Sequence, residues 1–186
     1  MIAALAELYR PLVRLNSLLH MIGRNVAWVL LAIMTAFILI QVVFRYAFNN
    51  ALPWPEEGAR ALMIWMTALV APTALRWGGF VSIDMIKDAL PTLLRNILSL
   101  AILLLITAVL IQLFVLSFDF VDRGWRTRAA SFQLPRAYIY MAMPVCFGGM
   151  LLVSLEMLMR EIGHVFGMGD KFPPPSQPKN AANEAE

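Results

Sequence analysis

The chain has 186 residues, of which 60% are hydrophobic and 15% charged, and its mean hydropathy is +0.71. A soluble domain carries about 45–50% apolar and about 25% charged residues. A chain of this length buries only about 70% of its unfolded surface, so the apolar excess excludes an ordinary water-soluble globule and leaves lipid as the remaining cover. The net charge is +3 and the pI near 9.4. The basic residues fall between apolar blocks and not along one stripe, which argues against a nucleic-acid surface and makes them topology signals. The one cysteine, Cys146, sits in an apolar run; it supports no disulfide framework or metal cluster within one chain and reads as a small buried hydrophobe.

In chain order, the first element is an amphipathic helix over residues 1–22. Ile2, Leu5, Leu8, Leu12, Leu15 and Leu19 recur at three- and four-residue steps, with Glu7, Arg10 and Arg14 between them. That pattern suits a helix lying in the membrane surface, bent or restarted at Pro11, or one packed on a partner's flank. Four apolar blocks follow, roughly Val26 to Phe44, Ala61 to Leu75, Ile97 to Phe118 and Ala137 to Met159. A crossing helix needs about 20 residues. Blocks one, three and four suffice, and residues Pro55 to Arg60 extend the second, giving spans at about 26–46, 56–76, 95–118 and 137–160. The first block is longer than a signal-peptide core and no A-x-A site follows it, so it is retained as a span.

Together these make residues 23–162 a four-span membrane domain and the chain an all-α integral membrane protein. It has an N-terminal interfacial helix and a short interfacial helix between spans two and three. Residues 163–186, with Pro173, Pro174, Pro175 and Pro178, read as a disordered tail. With both ends cytoplasmic, Arg10, Arg14, Arg24, Arg76, Lys87, Arg95, Arg160, Lys171 and Lys179 lie inside and Arg45, Arg60, Arg123, Arg126, Arg128 and Arg136 outside. The larger share is inside, as topology requires, although the basic loop 119–136 pulls the other way.

The most informative stretch is Trp54-Pro55-Glu56-Glu57-Gly58-Ala59-Arg60. Pro55 suits a first helical turn, the two carboxylates meet the positive end of the helix dipole, and Arg60 shares a face with either. The cluster serves as an interfacial helix start, or Glu57 and Arg60 lock this helix to another subunit. At the far end of the span, Arg76 closes the helix and Gly78-Gly79 turns the chain. Val81, Ile83, Met85, Ile86 and Leu90 then form the short amphipathic stretch, with Asp84, Lys87 and Asp88 toward water.

The order Trp54-x-Glu56-Glu57-x-x-Arg60, an aromatic-centred span, then Arg76-x-Gly78-Gly79-x-Val81-x-Ile83-Asp84 resembles the small membrane subunit of tripartite ATP-independent periplasmic (TRAP) transporters, the DctQ-type family. Ser131-Phe132-Gln133-Leu134-Pro135, with Tyr140 and Pro144 beyond, is similar to that family's approach to its last span. The resemblance covers roughly residues 20 to 160. It departs at Phe80, where the family often has His, which puts that one polar contact in doubt.

The resemblance implies a scaffold subunit in the bacterial inner membrane, surrounded by lipid and paired with a large multi-span permease that binds substrate and sodium. A periplasmic binding protein delivers an organic acid such as a dicarboxylate or sialic acid. It also implies no cofactor in this chain and marks Trp54, Glu57, Arg60, Arg76, Gly78, Asp84 and Pro144 as interface or structural residues. Arg123, Arg126 and Arg128 form a basic loop that either docks the acidic surface of the binding protein or meets lipid headgroups.

The residues themselves fit a non-catalytic role. Transport sites use ionisable groups or broken helices near the midplane, whereas Arg45, Arg60, Arg76, Asp119, Glu156 and Arg160 lie at or near span ends. Pro72 and Pro144 interrupt spans as packing kinks or as breaks that expose carbonyls, and Gly148-Gly149 permits close helix approach. His20 and His164 lack metal-ligand spacing, and no phosphate-binding loop occurs. The alternative function is a four-span, proton-coupled exporter working as a homodimer, for which Glu57 is the candidate acid.

Overall fold

The computed structural model of the chain describes residues 2–50, 52–78, 91–128, 131 and 134–165. It is all-helical, with α1 over Ile2–Ala47, α2 over Trp54–Gly78, α3 over Thr92–Trp125, α4 over Ala137–Tyr140 and α5 over Ala142–Val165. Four stretches are long and apolar enough to cross a membrane: Pro11–Ala47, Trp54–Trp77, Leu94–Trp125 and Ala137–Gly163. Each contains one of the four expected spans, the first and third running well beyond it, and together they make this a multi-pass membrane protein.

The N-terminal amphipathic helix is not a separate element. Residues 2–47 form one helix of 46 residues with Pro11 inside it. A proline near a helix start removes one backbone bond, to the carbonyl four residues earlier, while the bonds of the flanking residues persist. At 1.5 Å per residue α1 is about 69 Å long, more than twice a hydrocarbon core of about 30 Å, so it is much longer than one crossing requires. The interfacial helix expected between spans two and three, with Asp84, lies outside the described residues, and so does most of the tail. The fourth span is interrupted at Met141 between α4 and α5. Pro144, three residues on, has no N–H to offer the carbonyl of Tyr140, which explains the local break.

Consecutive spans run antiparallel. α2 packs between α1 and α5, and α3 packs on the other side of α5. A small core of Leu103, Val153 and Met157, bordered by Leu75 and Leu158, joins α2, α3 and α5. Small residues set the spacing. A Cβ added at Gly149 would stand 2.7 Å from Cγ of Pro72, and one at Gly23 would stand 3.0 Å from the carbonyl oxygen of Leu69. Pro72 is thus a packing contact against α5, as the Gly148-Gly149 pair suggested, and Gly148 itself meets the ring edge of Phe114. Thr107 Oγ1 donates to the Leu103 carbonyl at 2.7 Å and, its one proton so used, accepts from Ser154 Oγ at 2.5 Å. Only 6% of the most apolar window of α1 is buried, against 28% in the fourth span. The outer face of α1 is therefore covered by lipid or by another chain.

At the α3–α4 corner the contact is backbone on backbone. A Cβ on Gly124 would lie 2.7 Å from Cα of Ala137, which cannot swing aside as a side chain can. Overpacking of this kind costs about 1–3 kcal/mol. Gly124→Ala is expected to lower the thermal unfolding midpoint in detergent clearly, whereas Gly148→Ala, facing only a movable Phe114 ring, shifts it little; equal midpoints for the two variants would contradict this packing.

Candidate functional site

The polar residues gather at the two ends of the bundle. At one end, α1, α2 and α5 each contribute one helical row: Asn16 and His20, Thr73 and Arg76, Leu152 and Glu156. Residues three or four apart share a helix face, which lets the three rows meet. Arg76 Nη2 donates to Glu156 Oε1 at 2.7 Å, and the two side chains are only 3% and 2% exposed. Asn16 Nδ2 donates to Glu156 Oε2 at 2.6 Å and to the Leu152 carbonyl at 3.1 Å. His20 Nδ1 and Thr73 Oγ1 are paired at 2.8 Å. The Arg76 guanidinium also lies over the Trp77 ring, 5.7 Å from its centroid. Tyr9 is buried beside this group; burial first, and the Glu156 carboxylate second, push its phenol above the ordinary value, so it stays a neutral hydroxyl.

Both oxygens of Glu156 are engaged by donors on two other helices. A carboxylate so occupied makes a three-helix clasp with no oxygen left open toward a passing ion. Among the described residues no group of three or more His, Cys, Asp or Glu side chains could hold a metal.

At the other end, the first turn of α2 collects its neighbours. Pro55 is buried at the helix start. Trp54 meets the Phe37 ring of α1 edge-on at 5.6 Å. Glu57 Oε2 accepts the backbone N–H of Ser131 at 2.7 Å, which fastens the α3–α4 loop. That loop folds back on itself, with Arg136 N–H donating to the Thr127 carbonyl at 2.9 Å and a bridge between Arg128 and Pro135. Trp65 Nε1 reaches the Tyr138 carbonyl at 3.1 Å. Arg60 pairs with Glu56 at 3.0 Å, both largely exposed, and such a pair contributes about 0.3–0.5 kcal/mol at most.

The structure thus separates the expected site residues. Trp54, Glu57 and Arg60 lie at the loop end, Glu57 bonded within the chain and Arg60 to Glu56. Arg123, Arg126 and Arg128 are exposed at the same end, along the last turn of α3 and into the loop. Arg76 lies at the opposite end, in the last turn of α2, where it ion-pairs across to α5. Gly78 ends α2, Pro144 sits in the first turn of α5, and Asp84 is outside the described residues. Asn16, His20, Thr73 and Glu156 were not anticipated as a group. The available signal was Glu156 itself, an acid within Leu155-Glu156-Met157-Leu158-Met159, since a charge inside a span implies a partner.

Removing one partner of a buried pair strands the other charge, at about 3–5 kcal/mol, whereas replacing both by apolar residues is often neutral. Arg76→Ala or Glu156→Ala is expected to lower the unfolding midpoint in detergent strongly, and Arg76→Met combined with Glu156→Leu to recover most of the loss. A double variant as unstable as the sum of the singles would refute the pairing.

Comparison with known proteins identifies the family. Residues 34–164 match the family described as tripartite ATP-independent periplasmic transporters, DctQ component. The chain is 30% identical over 126 residues to the isethionate TRAP transporter permease protein DctMQ of Oleidesulfovibrio alaskensis, covering 64% of this chain and 19% of that protein. It is 32% identical over 80 residues to a protein of Haemophilus influenzae named as a TRAP transporter small permease, covering 41% of this chain and 50% of that one. The chain therefore spans half or less of the length of these relatives.

Proposed function

The chain belongs to the DctQ component family of tripartite ATP-independent periplasmic transporters, and from that premise we propose that it is the small bracing subunit of a sodium-coupled importer of an organic acid. In this reading it stands in the bacterial inner membrane with both termini cytoplasmic, beside a large multi-span permease that holds the substrate and the sodium ions. A periplasmic binding protein delivers the cargo. The observation that carries the reading is the Asn16–Arg76–Glu156 clasp: among the described residues, the buried Arg76–Glu156 pair is tied with Asn16 across three helices and leaves no carboxylate oxygen open. The long apolar face of α1, hardly covered by the chain itself, supports a large membrane neighbour. The DctMQ relative, of which this chain matches 19%, supports a permease as that neighbour, and its isethionate assignment supports an organic anion as cargo.

The homodimeric exporter needs an acid that is free to exchange a proton within a span. Glu57 sits at a helix start and accepts from Ser131, and Glu156 is doubly bonded, so neither supports that alternative. Co-expression with a large permease encoded beside it is expected to yield a stable two-chain complex after detergent extraction; two chains that never copurify would overturn the assignment.

The loop end faces the periplasm in this orientation, and its exposed Arg123, Arg126 and Arg128 are proposed to attract an acidic face of the binding protein. Clustered charge speeds encounter more than it strengthens the final complex. Reversing all three to Glu is expected to slow uptake at low salt and to leave the difference small at high salt. Uptake that is unchanged at low salt removes the docking role.

A further inference from the structure

Beside the clasp, a groove of about 680 Å³ runs between α1 and α2, open on its outer side. His20 and Arg24 stand at one end and Leu31 at the other, with Trp28 along α1 and Val70 and Ala71 along α2. Its walls are almost wholly apolar apart from that first end. Among the described residues Arg24 has no acidic partner; His20 beside it is held by Thr73 through Nδ1, and its Nε2 is buried. We propose that this groove is a binding site for one anionic phospholipid, its acyl chain along the α1–α2 seam and its phosphate at Arg24.

Length selects this occupant. From His20 to Leu31 the groove follows α1 for about 16 Å at 1.5 Å per residue. One leaflet of hydrocarbon is about 15 Å deep, half of a core of about 30 Å, while a partner helix crossing the membrane would engage the full depth. Depth agrees with it. The apolar block of α1 begins at Val26, so Arg24 sits where the headgroup region starts, and Trp28, 67% exposed one turn further in, occupies the interfacial belt that tryptophan favours. Charge agrees as well, because basic pockets between spanning helices hold anionic headgroups. The seam is a fixed wall for the chain: Gly23 brings α1 onto the backbone of Leu69 just beneath the groove.

Native mass spectrometry of the full-length chain, extracted in detergent with whatever chain copurifies, tests the site with phosphatidylglycerol and phosphatidylcholine as probes. Phosphatidylglycerol is expected to be retained about fivefold better, the factor that one cation near an anionic headgroup supplies. Arg24→Gln should erase that preference, and Arg24→Lys, which keeps the charge, should preserve it. Ala71→Trp, which fills the groove, should release both lipids. Equal retention of the two lipids by the unaltered chain overturns the proposal, as does a preference that survives both Arg24→Gln and Ala71→Trp. A third arm places Ala71→Cys in a Cys146→Ser background in native membranes. A crosslink there to another protein chain would show a partner in the groove and overturn the lipid assignment; its absence, with the lipid preference present, supports it.

Discussion

A carboxylate in an apolar interior is tolerated only when its charge is met and its oxygens are bonded, and the meeting of Glu156 with Arg76 and Asn16 is the constraint on which this bundle is arranged. The pair fixes the depth of α5 against α2, because the two groups must coincide along their helices to reach 2.7 Å. Asn16 then sets where α1 crosses both. A slide of one helical turn, about 5.4 Å, would leave charges unpaired where water is scarce. Apolar packing alone would permit such slides, since neighbouring turns of leucine, valine and alanine offer similar surfaces to a helix or to lipid. The clasp therefore supplies register and the glycines supply distance. At Gly149 the α5 backbone meets the Pro72 ring, and at Gly23 the α1 backbone meets the Leu69 carbonyl, so a larger residue at either position pushes the helices apart.

The two ends are built differently. The clasp end is closed, made of side chains that bond one another across three helices. The loop end is fastened mainly through backbone groups and ring edges: Ser131 N–H on Glu57, the Tyr138 carbonyl on Trp65, Phe37 on Trp54. Its charged groups, Glu56, Arg60, Arg123, Arg126 and Arg128, point outward to solvent. The clasp end thus pairs its buried charges within the bundle, whereas the charged groups named at the loop end are exposed.

The spans were legible because each is a local property: about twenty consecutive apolar residues leave few alternatives to a crossing helix. Pro55 at the start of α2, Arg76 in its last turn and the close approach at Gly148-Gly149 were legible for the same reason, each following from the needs of one helix or one contact surface. The continuity of α1 through Pro11 was not. A proline weakens one bond, and whether a helix survives that loss depends on packing, here on α5 through Asn16 and Tyr9, that no local pattern records. The clasp was hidden for a stronger reason. Its partners are 80 and 140 positions apart, and helical periodicity relates only residues three or four apart. Arg76 could be read as completing its own helix dipole, and the ion pair that adds to this role required knowing that α5 returns beside α2.

A transport element alternates between two arrangements of similar free energy, which requires contacts that can be exchanged for equivalent ones. The contacts of this chain are of another kind. Breaking the Glu156–Arg76 pair strands two buried charges, and the contacts at Gly149 and Gly23 leave little slack to trade. Helices joined this way respond to force as one piece. Whatever movement occurs in the assembled transporter is then expected between this chain and its surroundings, across the apolar face of α1 and not among α1, α2 and α5. That expectation links the buried charges to the proposed bracing role: the Glu156 carboxylate, with both oxygens bonded, holds three spans in a single register.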